Sequence, residues 1–135
     1  MTIKNKKYEL ILDDIKIEKV TGIVLYRIRA IKNFGKVRKG ELGGYIQKEE
    51  NLAQEGNCWV SGNACVYGDA NVCENAEISE NAKVSGNTYV YGEARVFGDA
   101  QVSGNIRIYG KAWISGNIGV YGDASNIYGT TWIHD

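Results

Sequence analysis

Residues 59–124 read WVSGNA-CVYGDA-NVCENA-EISENA-KVSGNT-YVYGEA-RVFGDA-QVSGNI-RIYGKA-WISGNI-GVYGDA, eleven units of six with no insertion. The second place of every unit is Val or Ile. The fourth is Gly except at Glu74 and Glu80, and the sixth is Ala, Thr or Ile. A fixed period over this length outranks every other signal in a sequence. Within a unit such as Ala64-Cys65-Val66-Tyr67, period-two alternation makes a short strand with Ala64 and Val66 inward, Cys65 and Tyr67 outward. Gly68-Asp69 then supplies a corner, since Gly and Asn/Asp tolerate the backbone a sharp corner demands. Strand and corner every six residues describe a triangular prism with three units per coil.

Residues eighteen apart therefore stack about 4.8 Å apart in successive coils. One inward column is Val60, Ile78, Val96, Ile114; the second is Val66, Val84, Val102, Val120. The third is Val72, Val90, Ile108, continued by Ile127 after a one-residue slip at Ser125, with Ile133 also inward. β-Branched ladders suit a pleated surface, and burying about a dozen at roughly 1.5–3 kcal/mol each makes a sufficient core. The absence of proline agrees, because a parallel coil uses every backbone N–H. The aliphatic-then-small hexapeptide pattern resembles that of hexapeptide-repeat proteins. With the resemblance, the expected fold is all-β, a left-handed parallel β-helix of about four coils, to which the alternating N-terminal segments add a small antiparallel β cap. The left hand comes from resemblance alone, because it departs from the usual crossover rule.

The expected division is a cap and glycine-rich link over 1–50 and the solenoid with a closing segment over 51–135. Residues 1–7 are polar and read as a frayed end. YELILDD, IKIEKV and VLYRIRAI form a meander with a corner at Thr21-Gly22, whose task is to cover an otherwise open solenoid end. Gly40 and Gly43-Gly44 read as backbone turns in the link, and no phosphate-binding fingerprint surrounds them. Trp132 reads as a plug over the last coil.

The 135 residues carry no net charge, which argues against a dedicated nucleic-acid binder. Residues 1–50 hold twelve Lys/Arg against seven Asp/Glu, and 51–135 hold four against nine, so a basic head joins an acidic solenoid. Cys58, Cys65 and Cys73, odd in number and without C-x-x-C spacing, read as free thiols of a reducing compartment. The early apolar run Leu10-Ile11-Leu12 is too short for a secretory leader, and no stretch reaches transmembrane length. A cytoplasmic protein without membrane contact is expected.

LYRIRAI, then NFGKVRKGELGGYIQKEENL, then VYGDA/VSGNA coils resemble small phage and prophage hexapeptide-repeat proteins of unknown function, across roughly residues 8–135. That resemblance implies a phage origin and a location in the cytoplasm of an infected or lysogenic bacterium. Enzymes of the left-handed β-helix class are acyltransferases with a histidine base at a trimer groove, or zinc carbonic anhydrases using several histidines. This chain has one histidine, His134. No metal set, cofactor motif or catalytic residues are expected. A His134-dependent acyltransferase and a structural phage component are the alternatives to a binding protein.

The outward columns are unequal. One side presents Trp59, Glu77, Arg95 and Trp113, with Glu77 under Arg95 as a surface ion pair. The third side presents Tyr89, Tyr91, Arg107, Tyr109 and Tyr128, a tyrosine ladder flanked by arginine, the composition of binding hot spots. Three readings stand together: stacking that steadies the coils, a homo-oligomer interface (a trimer by resemblance), and a surface for a foreign protein or small nucleotide. Arg27, Arg29, Lys36 and Arg38 of the head form a second, basic candidate patch. The expected partner is a host defence protein or a nucleotide signal, making the chain a phage counter-defence inhibitor.

Overall fold

A computed structural model describes residues 5–134. The head comprises β1 (Tyr8–Ile17), β2 (Val24–Ala30) and β3 (Leu42–Ile46), followed by a single 3-10 turn, Glu49–Asn51. The coils follow as β4 (Trp59–Val60), β5 (Cys65–Val66), β6 (Asn71–Val72), β7 (Glu77–Ile78), β8 (Lys83–Val84), β9 (Tyr89–Val90), β10 (Arg95–Val96), β11 (Gln101–Ile108), β12 (Trp113–Ile114), β13 (Gly119–Ile127) and β14 (Trp132–Ile133). Every pairing between coils is parallel, and the architecture is an all-β parallel solenoid.

The inward columns form as the repeat requires. Side one stacks Val60, Ile78, Val96, Ile114 and Ile133. Side two stacks Ile46, Val66, Val84, Val102 and Val120. Side three stacks Leu52, Val72, Val90, Ile108 and Ile127. Each side thus has five rungs rather than the four the hexapeptides alone suggest. The extra rung on sides two and three comes from residues ahead of the repeat, where Ile46 and Leu52 enter the ladder. Asn51, fully buried, closes this first turn: its amide oxygen accepts from the N–H of Gln47 and Lys48, and its nitrogen donates to Gly68 and Ala70 carbonyls.

The two units without a corner glycine show why they manage. Glu74 and Glu80 take the left-handed backbone at φ 59°, a strained choice for a residue with a Cβ. Each carboxylate accepts a 2.8 Å hydrogen bond from the N–H of the residue eighteen later, Gly92 and Gly98. The single-residue slip is absorbed between Gly104↔Gly122 and Ile106↔Ser125 without breaking the β11–β13 ladder. Ala124 there sits at φ 56°, and the corner opens into continuous strands.

Three readings of the sequence need correction, and the outward-facing Cys65 gains a cover the sequence did not show. Lys7 is buried, not frayed: its ammonium donates to the carbonyls of Cys58 (2.8 Å) and Gly56 (3.1 Å) and lies 4.6 Å from the Phe34 ring centroid. The expectation for residues 1–4 lies outside the described residues. Gly43 and Gly44 are strand residues of β3, not turns. A Cβ on Gly43 would meet Val60 O at 2.6 Å, and on Gly44 it would meet Ala64 O at 2.6 Å, so glycine is there for close approach. Gly40, at φ 92°, is a turn. Cys65 points out of the coil yet is buried, because Leu25 and Tyr45 of the head cover it, with Ile23 and Tyr67 at the margin. Trp132 is no plug: it extends side one outward beside Trp113, its ring 6.0 Å away and edge-on.

The meander is one long hairpin plus β3. β1 pairs antiparallel with β2 through a bulge between Ile11 and Ile15, and β2 pairs antiparallel with β3. Glu18 fixes the hairpin tip by accepting from Val20 N, Thr21 N and the Thr21 hydroxyl. These bonds, the Thr21 N–H first, hold its carboxyl below the usual carboxylate range. Burial pushes the thiols of Cys58, Cys65 and Cys73 above the ordinary 9.0 and the hydroxyls of Tyr8 and Tyr67 above 10.0. Groups raised in this way bind protons more tightly folded than unfolded, so stability falls as pH climbs past their ordinary values. Lys7, lowered from 10.5 by burial, acts in the opposite sense but alone. Melting temperature should therefore hold near neutral pH and decline above about 9, with a shallower decline in Cys58→Ala. A pH series of thermal melts reads both.

Candidate binding surfaces on the solenoid

Side three carries the tyrosine ladder as an ordered stack. In third place of their units, Tyr91, Tyr109 and Tyr128 project outward one above another because the register aligns β9, β11 and β13. Tyr91 and Tyr109 stack at 5.0 Å and 8°, Tyr109 and Tyr128 at 5.4 Å and 11°. Two residues earlier on the same outward face, Arg107 lies over the Tyr89 ring at 5.4 Å, as their direct pairing allows. Stacked rings contribute about 0.5–1.5 kcal/mol per pair beyond area burial, so each ring favours the orientation of the next. A concavity of about 480 Å³ opens beside it, between Asn87, Asn105 and the slip at Ala124–Asn126, with Tyr89 and Arg107 on its wall. The structure thus brings the five side-three candidates onto one surface.

The basic patch is not brought together in the same way. Arg27 is spent within the head: it lies over the Tyr45 ring at 4.5 Å, donates to Gly43 O and the Tyr45 hydroxyl, and pairs with Asp14 at 3.5 Å. Arg29 pairs with its cross-strand neighbour Glu9, Nε to carboxylate 2.9 Å. Arg38 donates to the carbonyls of Gly35 and Val37. Lys36 stands apart on the wall of a different cleft.

That cleft, about 660 Å³, runs along side one and the corner before it, from Lys36 in the head to Trp132 in the last rung. Side one supplies Trp59, Glu77, Arg95, Trp113 and Trp132; the corner supplies Asn75, Glu93, Lys111 and Thr130. Glu77 and Arg95 pair at 3.3 Å, and the Arg95 guanidinium lies 5.5 Å over the Trp113 ring. Trp59 is roofed by the head, with Phe34 at 5.3 Å and Tyr8 at 6.4 Å. Trp113 and Trp132 remain 38% and 56% exposed. Sequence reading found the outward column but not the cleft, because its second wall is the corner residues, whose identities vary without a period.

His134 lies against Trp132, ring centroids 4.4 Å apart, on the exposed last rung. Among the described residues no group of three or more His, Cys, Asp or Glu stands close enough to hold a metal ion. Among the described residues, no helix is long and apolar enough to cross a membrane.

Comparison with known proteins agrees with this architecture. The family described as YdcK Beta solenoid repeat matches residues 100–116. Over 39 residues the chain is 49% identical to a protein named "Uncharacterized acetyltransferase YdcK" from Escherichia coli (strain K12), a match covering 29% of this chain and 12% of that relative. In repeat and in architecture alike, the chain has the fold of a parallel β-solenoid built on six-residue units.

Proposed function

We propose that the chain is a non-enzymatic binding protein, a left-handed solenoid over residues 51–135 capped by residues 1–50, that engages a partner through side three. The observation that carries this reading is the three-ring stack with Arg107 held over Tyr89. Stacked aromatics with arginine offer large contact area at small entropic cost, which is how binding hot spots are built. The phage resemblance of the head and coils supplies the setting: a counter-defence protein of the infected cell's cytoplasm that occupies a host immune protein, assembled as a homotrimer. The concavity beside Tyr89 and Arg107 favours a second reading, in which a nucleotide signal is sequestered by ring stacking and a guanidinium–phosphate contact.

Acyl transfer, the activity in the relative's printed name, is the alternative. The match covers too little of either chain to bring a catalytic site with it. His134→Ala abolishing acetyl-CoA turnover would favour that alternative, and presence in purified virions would favour a structural component.

The test is native mass spectrometry of protein isolated from a defence-active bacterial lysate. A trimer carrying a bound protein or a few hundred daltons of nucleotide is expected, with the adduct absent from a Tyr91→Ala/Arg107→Ala variant. Losing two hot-spot side chains should weaken binding roughly a hundredfold or more, with melting temperature falling only slightly. An adduct retained by the double variant removes the site assignment.

A further inference from the structure

The geometry points to the side-one cleft as a binding site for a linear, neutral oligosaccharide, independent of the tyrosine ladder. Three observations carry it. The first is shape: the cleft touches the head at one end and the last rung at the other, so it is a trough across five rungs, roughly 19 Å at the strand spacing. A trough takes an extended chain rather than a compact ligand.

The second is the pair of exposed indoles. Trp113 and Trp132 stand edge-to-face at 79° in the lining of the trough; Arg95 lies over the Trp113 ring and His134 beside Trp132, and both indoles keep exposed surface. Trp132 is 56% exposed and still fixed, because its Nε1 donates to the Ser115 hydroxyl at 3.0 Å. An exposed tryptophan held in one orientation has already lost the freedom that binding would otherwise remove. A sugar ring has one face of C–H groups, suited to an indole face, and a rim of hydroxyls.

The third is charge. Lys36, Arg95 and Lys111 face Glu77 and Glu93 in the same trough, and Arg95 is already neutralised by Glu77. With Arg95 and Glu77 paired, Lys36 and Lys111 stand with Glu93 in a mixed lining that lacks the concentrated positive field a polyanion site uses. A neutral polyol needs no such field: its hydroxyls can donate to Glu77 and Glu93, accept from Lys111 and Arg95, and do both with Asn75 and Thr130. Affinity would come from the two indoles and direction along the trough from the polar wall.

Isothermal titration calorimetry with chitotetraose, cellotetraose and maltotetraose tests this, with AMP as the anionic comparison. Saturable binding of at least one tetrasaccharide is expected. Trp132→Ala should weaken it by at least about tenfold. Trp113→Phe should weaken it less, and Tyr121→Ala, on side two, should leave it unchanged. Circular dichroism of each variant confirms that the coil persists, and Trp113→Phe keeps the test decisive if Trp132→Ala loosens the last rung. No saturable binding of any tetrasaccharide at about millimolar concentration, the range of weak specific ligands, overturns the proposal. Undiminished binding in both tryptophan variants, or AMP binding that the same variants abolish, also overturns it.

Discussion

Gly44→Ala should cost about 3 kcal/mol of folding stability, at the upper end for a single added methyl. The new Cβ would lie 2.6 Å from Ala64 O, 2.8 Å from Val60 Cγ1 and 3.3 Å from Ser61 O. Two of those atoms are backbone, so no change of rotamer relieves the contact. Moving β3 away would break the bond from Tyr45 N to Ala64 O at 2.9 Å and lift Ile46 off the top of its ladder. Gly22→Ala is the matched comparison. It has φ 77° with nothing within 4 Å of the added atom, so it carries only the left-handed backbone penalty of about 1 kcal/mol. Urea denaturation midpoints of the two variants read the difference. Equal losses would mean that β3 does not pack as described.

The second large effect lies in the ladders. Ile78→Ala should cost about 4 kcal/mol, within the range for deleting a fully buried aliphatic side chain. Ile78 is fully buried between Val60 and Val96. Its neighbours cannot collapse into the space, because Ser61 N donates to Ile78 O and Ser79 N to Val96 O, both at 2.9 Å, pinning the rungs. Ile133, on the same column in the last rung, is only partly buried. Ile133→Ala should therefore cost about 1 kcal/mol. The ratio matters more than either value: a solenoid's stability is a sum of rung and interface contributions, so the loss should grade from end to middle. A flat profile along the column would contradict the packing.

How far the sequence revealed this molecule depended on which residues had to cooperate. The inward columns were legible because each Val or Ile needs only its own unit and the one eighteen residues on. The Glu77–Arg95 pair and the tyrosine stack follow from the same register. Lys7 was illegible because the carbonyls that hold it belong to residues about fifty positions later, in a segment with no period. Gly43-Gly44 was read as a turn because two different needs, a left-handed φ and room for a neighbouring strand, both select glycine. Cys65 was placed correctly on its strand and facing outward, but its cover was illegible, because the hairpin that buries it folds over side two by tertiary contact alone. Of the candidate sites, the ladder could be written down in advance; the side-one cleft could not, since it exists only where a side meets a corner.

The eighteen-residue stacking distance makes length a counted quantity in this chain. Duplicating residues 77–94 would insert one whole storey, leaving every later side chain on the face it already occupies and raising the tower by one strand spacing. Duplicating a single hexapeptide would instead rotate everything beyond it by one face, carrying Tyr109 and Tyr128 out of line with Tyr91. Length changes in this segment are thus sorted by arithmetic: whole units in threes are silent in cross-section, and other whole numbers of units scramble the surface while sparing the core.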